Sequence, residues 1–389
     1  MEQEQLQGEW PCFSEEEAQA VKRVLLSNKV NYWTGDQGRQ FESEFASFAG
    51  ANYGVALANG TVALEGALRA LGIGPGDEVV VTSRTFLASV SSIIAVGARP
   101  VFADVNPDSQ NITALSIAEV VTSRTRAVIC VHLNGWPCDM DEICALAAQR
   151  RLFVIEDCAQ AHGAKYKNRP IGSLGDIAAW SFCQDKIMTT GGEGGMITTN
   201  SEELWSKVWS YKDHGKDFGR IKATKDEFGF KWVHSHFGTN WRMTEMQAAI
   251  GRIQLSRIDK WNQIRTSNAN RVLDYCAQFG DIFRVPRPPE YCQHGWYKCY
   301  VFVHPQYGGV IRDKMIKLIN QYNVPCAQGS CSEVYLEAAF DATNYRPPRR
   351  MQVARELGDT SLAFLVHPTL SEQDIDRTCF AIGKAVANL

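Results

Sequence analysis

The chain has 389 residues, 45% hydrophobic and 21% charged, the balance of a folded globule of two or three domains and not of a disordered chain. Its 40 Lys and Arg stand against 43 Asp and Glu, a formal net charge of -3, with no long basic run to track a nucleic-acid backbone. The 12 cysteines include no C-x-x-C pair, so neither a disulfide framework nor a zinc ribbon is expected.

The stretch "MEQEQLQGEWPCF" is acidic and polar, unlike a secretory signal. Apolar runs such as "SVSSIIAVGARPVF" are interrupted well short of a bilayer span, and the expectation is a cytoplasmic protein that does not engage membranes. In "NYWTG", residues 31–35, the rings either stack on a base or sugar or pack the entry segment against the body. From Gly54 to about Thr199 strand-like and helix-like segments alternate, through "GVALAN", "TVALEGALRAL", "DEVVVTS", "RAVICVHL" and "LFVIEDC". That alternation predicts βαβ units, and strands so apolar predict a largely parallel sheet covered on both faces. "GIGPGDE", residues 72–78, reads as a turn between a helix and the next strand. From Met243 to about Phe279 apolar residues keep helical spacing, predicting one long helix or two joined ones, with Gly251 a weak spot. The proline-rich "RVPRPPEYC" then precedes a short strand in "WYKCYVFVH", and a smaller α/β region follows. The expected division is 1–255 for the large domain and 256–389 for the long helix and small domain. "YRPPRR", residues 345–350, reads as an exposed loop.

One stretch poses a chemical question. "SFCQDKIMTTGGEGG", residues 181–195, sets Lys186 between an apolar strand and a glycine-rich loop. An enclosed lysine can lose its proton and attack a carbonyl to form a Schiff base; the alternative is an exposed loop lysine. In "LFVIEDCAQAHG" a hydrophobic strand ends in Glu156 and Asp157, at the edge where open α/β sheets bind ligands. Asp157 there can hold the proton of a pyridine ring nitrogen, or can be a helix cap or turn acid. "LANGTVALEGAL" offers a strand, a glycine turn and a helix starting near Thr61, a phosphate cradle or an ordinary cap, and Ser181 could add a second hydroxyl. Cys158 and His162 lack the further ligands a metal site needs. Phe86 by itself could be a core aromatic on an amphipathic helix.

Together these are the parts that pyridoxal 5'-phosphate requires. The ordered set "NGTVALEGAL", "PVFADVNPDSQNI", "VHLNGWPCDMDEI", "IEDCAQAHGA", "GDIAAWSFCQDKIMTTGGEGG" and "GTNWRMTEMQAAIGRIQL" resembles the DegT-type nucleotide-sugar aminotransferases. The resemblance implies the aspartate-aminotransferase-like fold (fold type I), with a large mostly parallel-sheet domain, a smaller carboxyl-terminal α/β domain and a homodimer with shared active sites. It implies that Lys186 carries the cofactor and shuttles a proton, and that Asp157 pairs with the ring nitrogen. Gln160 would meet the ring hydroxyl, Phe86 would stack on the ring, and Gly60, Thr61 and Ser181 would hold phosphate. Asn240 would reach the partner subunit's phosphate. Substrates would be an amino acid, L-glutamate, and a ketone on a nucleotide-linked deoxysugar, for amino-sugar and polysaccharide synthesis. Cys183, Trp136 and the extra glycine of "TGGEGG" depart from the common pattern. A dehydratase on the same fold and a noncatalytic cofactor-binding regulator are the competing readings; in dehydratase relatives a histidine replaces the lysine that is retained here as Lys186.

Overall fold

The computed structural model describes residues 8–224 and 228–389. Seven strands form the main sheet: β1 Tyr53–Leu57, β2 Glu78–Thr82, β3 Arg99–Ala103, β4 Thr125–Val131, β5 Phe153–Asp157, β6 Ile177–Ser181 and β7 Gly195–Thr199. Their order is β1-β7-β6-β5-β4-β2-β3. Strands β3, β2, β4, β5 and β6 pair in parallel, while β7 runs antiparallel to both β6 and β1. The parallel core follows from side chains such as Val79, Val80 and Val81, all buried, which need cover on both faces. Helices supply that cover. The segment at 72–78 joins the helix Gly60–Ala70 to β2, as its turn residues predict.

The single antiparallel strand positions the chemistry. Ser181, the last residue of β6, pairs with Gly195, the first of β7. The glycine-rich loop between them is therefore a hairpin-like excursion that stays at the carboxyl edge of the parallel strands, and Lys186 rides on it.

The region from Met243 onward forms one helix, Glu245–Ala277, started by a capping box between Thr244 and Gln247. Gly251 does not break it. A β-carbon there would lie 2.7 Å from the Phe41 ring, so the glycine lets another helix pack close. Beyond it a four-stranded sheet of Phe283–Arg284, Cys299–Val303, Ser361–Phe364 and Cys326–Ala327 packs with the helices Gly308–Asn320 and Glu372–Val386 around a second core that includes Val301, Met315, Leu362 and Ile382. All 12 cysteines are free thiols. Among the described residues no helix is long and apolar enough to cross a membrane.

Candidate active site

A cleft of about 680 Å³ opens at the carboxyl edge of the main sheet. It brings together Gly60, Thr61, Phe86, Asp157, Gln160, Ser181 and Lys186, residues drawn from four separate stretches of chain.

At one end the helix Gly60–Ala70 begins. Asn59 caps it, its side chain accepting from the Val62 amide at 3.0 Å, while the first helical amides carry the positive end of the helix dipole toward the cleft. Gly60 is required by its neighbour: a β-carbon would come within 2.6 Å of Ser181 Cβ. The helix start and the end of β6 thus form one cradle of backbone amides and two hydroxyls, Thr61 and Ser181, which suits a phosphate.

The strand end of β5 shows why only one of its two acids serves the cleft. Successive side chains point to opposite faces. Glu156 faces away and accepts from His132 Nε2 at 3.0 Å and from the Gly172, Leu174 and Gly175 amides. Burial pushes its carboxyl up, but these partners outweigh burial and hold it below the usual range. Cys158 completes a buried cluster with His132 and Glu156; His132 already spends its other nitrogen on the Cys138 amide at 3.0 Å. Asp157 faces the cleft. It accepts from Ser89 Oγ at 2.8 Å and the Ala159 amide at 3.1 Å, yet burial dominates and raises its carboxyl above the ordinary value, against those bonds and the charge of Lys186. A buried acid so short of positive charge fits a protonated ring nitrogen, which would supply the missing counter-charge.

Lys186 enters from the loop between β6 and β7. Its Nζ stands 3.5 Å from Asp185 Oδ1 and 5.0 Å from the centre of the Tyr297 ring, and its side chain is 16% exposed. It is an enclosed lysine and not a solvated loop one. Its carbonyl is held by the indole N–H of Trp10 at 2.8 Å. Gln160 is oriented by the Asn134 amide, which donates to Oε1 at 2.7 Å. Phe86 is 70% exposed and precedes the helix Ala88–Ala95. The alternative of a core aromatic is therefore excluded, since Phe86 lines the cleft wall.

Asn240 is not in this cleft. It is exposed, its backbone bridges to Asp213, and its Oδ1 accepts weakly from the Arg242 amide at 3.5 Å. Of the "NYWTG" rings, Tyr32 is buried with its hydroxyl on Glu42 at 2.9 Å, and the Trp33 indole donates to Asp213 at 2.6 Å, so both pack the entry segment. His162 is buried among Phe45, Trp180 and Phe182. Arg346 and Arg350 of "YRPPRR" pair with Asp341 and Glu333. Sequence reading missed Ser89, Asn134, Asp185, Tyr297 and Lys298. Asp185 had one available signal, adjacency to Lys186; Tyr297, 112 residues from Asp185, had none.

The sequence pattern of the DegT/DnrJ/EryC1/StrS aminotransferase family matches residues 11–383. The chain belongs to that family. A solved aminotransferase from Psychrobacter cryohalolentis is similar at 56% identity and TM-score 0.96, covering 98% of each chain. The spore coat polysaccharide biosynthesis protein SpsC of Bacillus subtilis is 35% identical over 97% of this chain and 96% of its own. GDP-perosamine synthase of Caulobacter vibrioides is 36% identical over 91% of this chain and 92% of its own. The fold is that of the pyridoxal-phosphate-dependent aminotransferases, and the protein is an aminotransferase of this family.

Proposed function

We propose that the protein moves an amino group from L-glutamate onto a keto group of a nucleotide-linked deoxysugar, in the cytoplasm, as a step of amino-sugar and polysaccharide synthesis. The observation that carries the reading is the placement of Lys186 and Asp157 in one cleft with an open phosphate cradle. Relatives named for GDP-perosamine and for spore coat polysaccharide support the sugar, and twelve free thiols suit a reducing compartment.

Pyridoxal 5'-phosphate, when bound here, would supply an aldehyde carbon that condenses with amines and a ring that accepts electrons from the donor carbon. Gly60, Thr61 and Ser181 would hold its phosphate, and Phe86 and Gln160 would hold its ring. Asp157 would keep the proton on the ring nitrogen. Lys186 would anchor the group, then take a proton from the donor carbon at Nζ and release it to the accepting carbon. Because Asn240 lies outside its own chain's cleft, we assign it to the phosphate of a second subunit in a homodimer with shared sites.

A panel of nucleotide-linked ketosugars incubated with glutamate, read by mass spectrometry, tests the reaction. The expected product gains one amine and yields 2-oxoglutarate in equal amount, and Lys186→Ala abolishes it. Loss of water without amine transfer would instead identify a dehydratase, and cofactor absorbance without turnover a binding protein. Mixing Asn240→Ala with Lys186→Ala subunits tests sharing: hybrids should exceed both parent variants, because one site regains both residues. Hybrids no better than the parents would place Asn240 outside the site.

A further inference from the structure

We propose that Asp185 and Tyr297 form a station for the Lys186 amine, with Asp185 the catalytic carboxylate that meets Nζ and Tyr297 the positioning residue that aims it. The inference rests on the reading of Lys186 as the proton-carrying amine.

Lys186 and the adjacent Asp185, whose side chain is 60% exposed, carry opposite charges and turn toward each other. Here one carboxylate oxygen, Oδ1, faces Nζ at 3.5 Å while the other, Oδ2, accepts the Tyr297 hydroxyl. The hydroxyl thereby fixes which way the carboxylate turns. The Tyr297 ring lies alongside the amine at 5.0 Å, within cation–π range. Burial pushes the tyrosine hydroxyl up and the nearby Asp185 charge adds to it, so it remains a donor. Burial also pushes the Asp185 carboxyl up, but Lys186, the Tyr297 hydroxyl and Lys298 outweigh it and hold the group below its ordinary value, so it remains an acceptor. The other charges lining the cleft around the amine are Asp157, Glu193 and Lys298, whose Nζ is 5.2 Å from the same ring.

Tyr297 is itself held from the main sheet. Its amide donates to the Asn134 carbonyl at 3.0 Å, and the Lys298 amide donates to Asn134 Oδ1 at 2.7 Å. Asn134 follows β4 in the left-handed region, with φ 62°, which turns its side chain toward one segment while its own amide serves Gln160. One residue thus sets both Gln160 and the tyrosine beside the lysine.

The chemistry balances without a further reactant. The lone pair of Nζ takes the proton from the donor carbon and becomes ammonium; the Asp185 charge and the Tyr297 ring face stabilise that ammonium and keep it in the cleft. The same proton then leaves Nζ for the accepting carbon, and the lone pair returns. Asp185 gains and loses no bond.

The test uses Asp185→Asn, Tyr297→Phe and the double variant, all near-isosteric. Asp185→Asn should lower kcat about 10²-fold with little change in KM, the loss expected of a misplaced reacting group. With α-deuterated glutamate its isotope effect should rise, because proton transfer becomes slower than the other steps. Tyr297→Phe should cost less, and nothing further in the Asp185→Asn background, because the hydroxyl acts through the carboxylate. In cofactor-free protein, acylation of Lys186 by an amine-directed reagent, read by peptide mapping, should be about threefold faster or more in Asp185→Asn, since Nζ is no longer held against a carboxylate oxygen. Additive losses in the double variant overturn the pairing. An unchanged isotope effect with unchanged acylation in Asp185→Asn overturns the role of the carboxylate. If the two single variants match the parent while Lys186→Ala is inactive, only the station fails; if Lys186→Ala still transfers amine, the reading of Lys186 fails with it.

Discussion

Three of the four buried histidines, His162, His294 and His367, make stability depend on pH in a window set by their surroundings. His162 is fully buried; burial, Lys186 and Arg265 lower it to about 3, against an opposing contact with the Ser181 backbone. His294, stacked on Trp296 at 3.9 Å, is lowered by burial to about 3. His367, stacked on Trp10 at 6.2 Å, is lowered by burial and Arg265 to about 4. All three are neutral when folded, and each takes up a proton on unfolding once the pH falls below its unfolded value of about 6.5. Their contribution is therefore complete above that value and is lost progressively as the pH falls toward the folded values. Between about pH 7.5 and pH 5 each loses ~2 kcal/mol, so the three together lose up to ~6 kcal/mol. Asp157 and Glu245 are raised by burial and work in the opposite direction, whereas Glu156 and Asp185, held below their ordinary values, add to the loss at the acid end of the window. The assay labels the eight histidines at Cε1 and follows their NMR shifts with pH, alongside urea unfolding at both ends of the window. Three resonances should keep neutral shifts across it, and His162→Gln should remove about a third of the destabilisation. If every histidine titrates near 6.5, or unfolding takes up no protons over the window, the burial argument is wrong.

Two substitutions probe the cleft itself. Gly60→Ala drives a β-carbon to 2.6 Å from Ser181 Cβ, so the helix start must retreat from β6. Affinity for pyridoxal 5'-phosphate, titrated by absorbance, should fall about tenfold or more with circular dichroism unchanged; parental affinity would show that the cradle does not hold the phosphate. Asp157→Asn retains the Ser89 contact but loses the charge that, on the proposed reading, would hold a ring proton, so turnover should fall about 10²-fold or more with the cofactor still bound. Equal turnover would make Asp157 a structural acid.

The sequence by itself determined most of the scaffold and pointed to several residues that line the cleft. Alternating apolar strands and helical segments specify the large sheet because burial on both faces demands unbroken apolar strands, and βαβ connections admit few topologies. Lys186, the Glu156–Asp157 pair and Gly60 were legible because each sits at a local boundary: the glycine-rich loop, the strand end, the helix start. Tertiary structure alone decided what surrounds them. Whether Glu156 or Asp157 faced the cleft depended on the register of β5, since a one-residue difference reverses the face. Whether Phe86 was core or cleft wall depended on where the chain enters the helix Ala88–Ala95. The positions of Trp10, Asn134 and Tyr297 around Lys186 depended on contacts between segments distant in the chain. Such contacts leave no periodicity or spacing in the sequence, because they form only when separate elements close on one another.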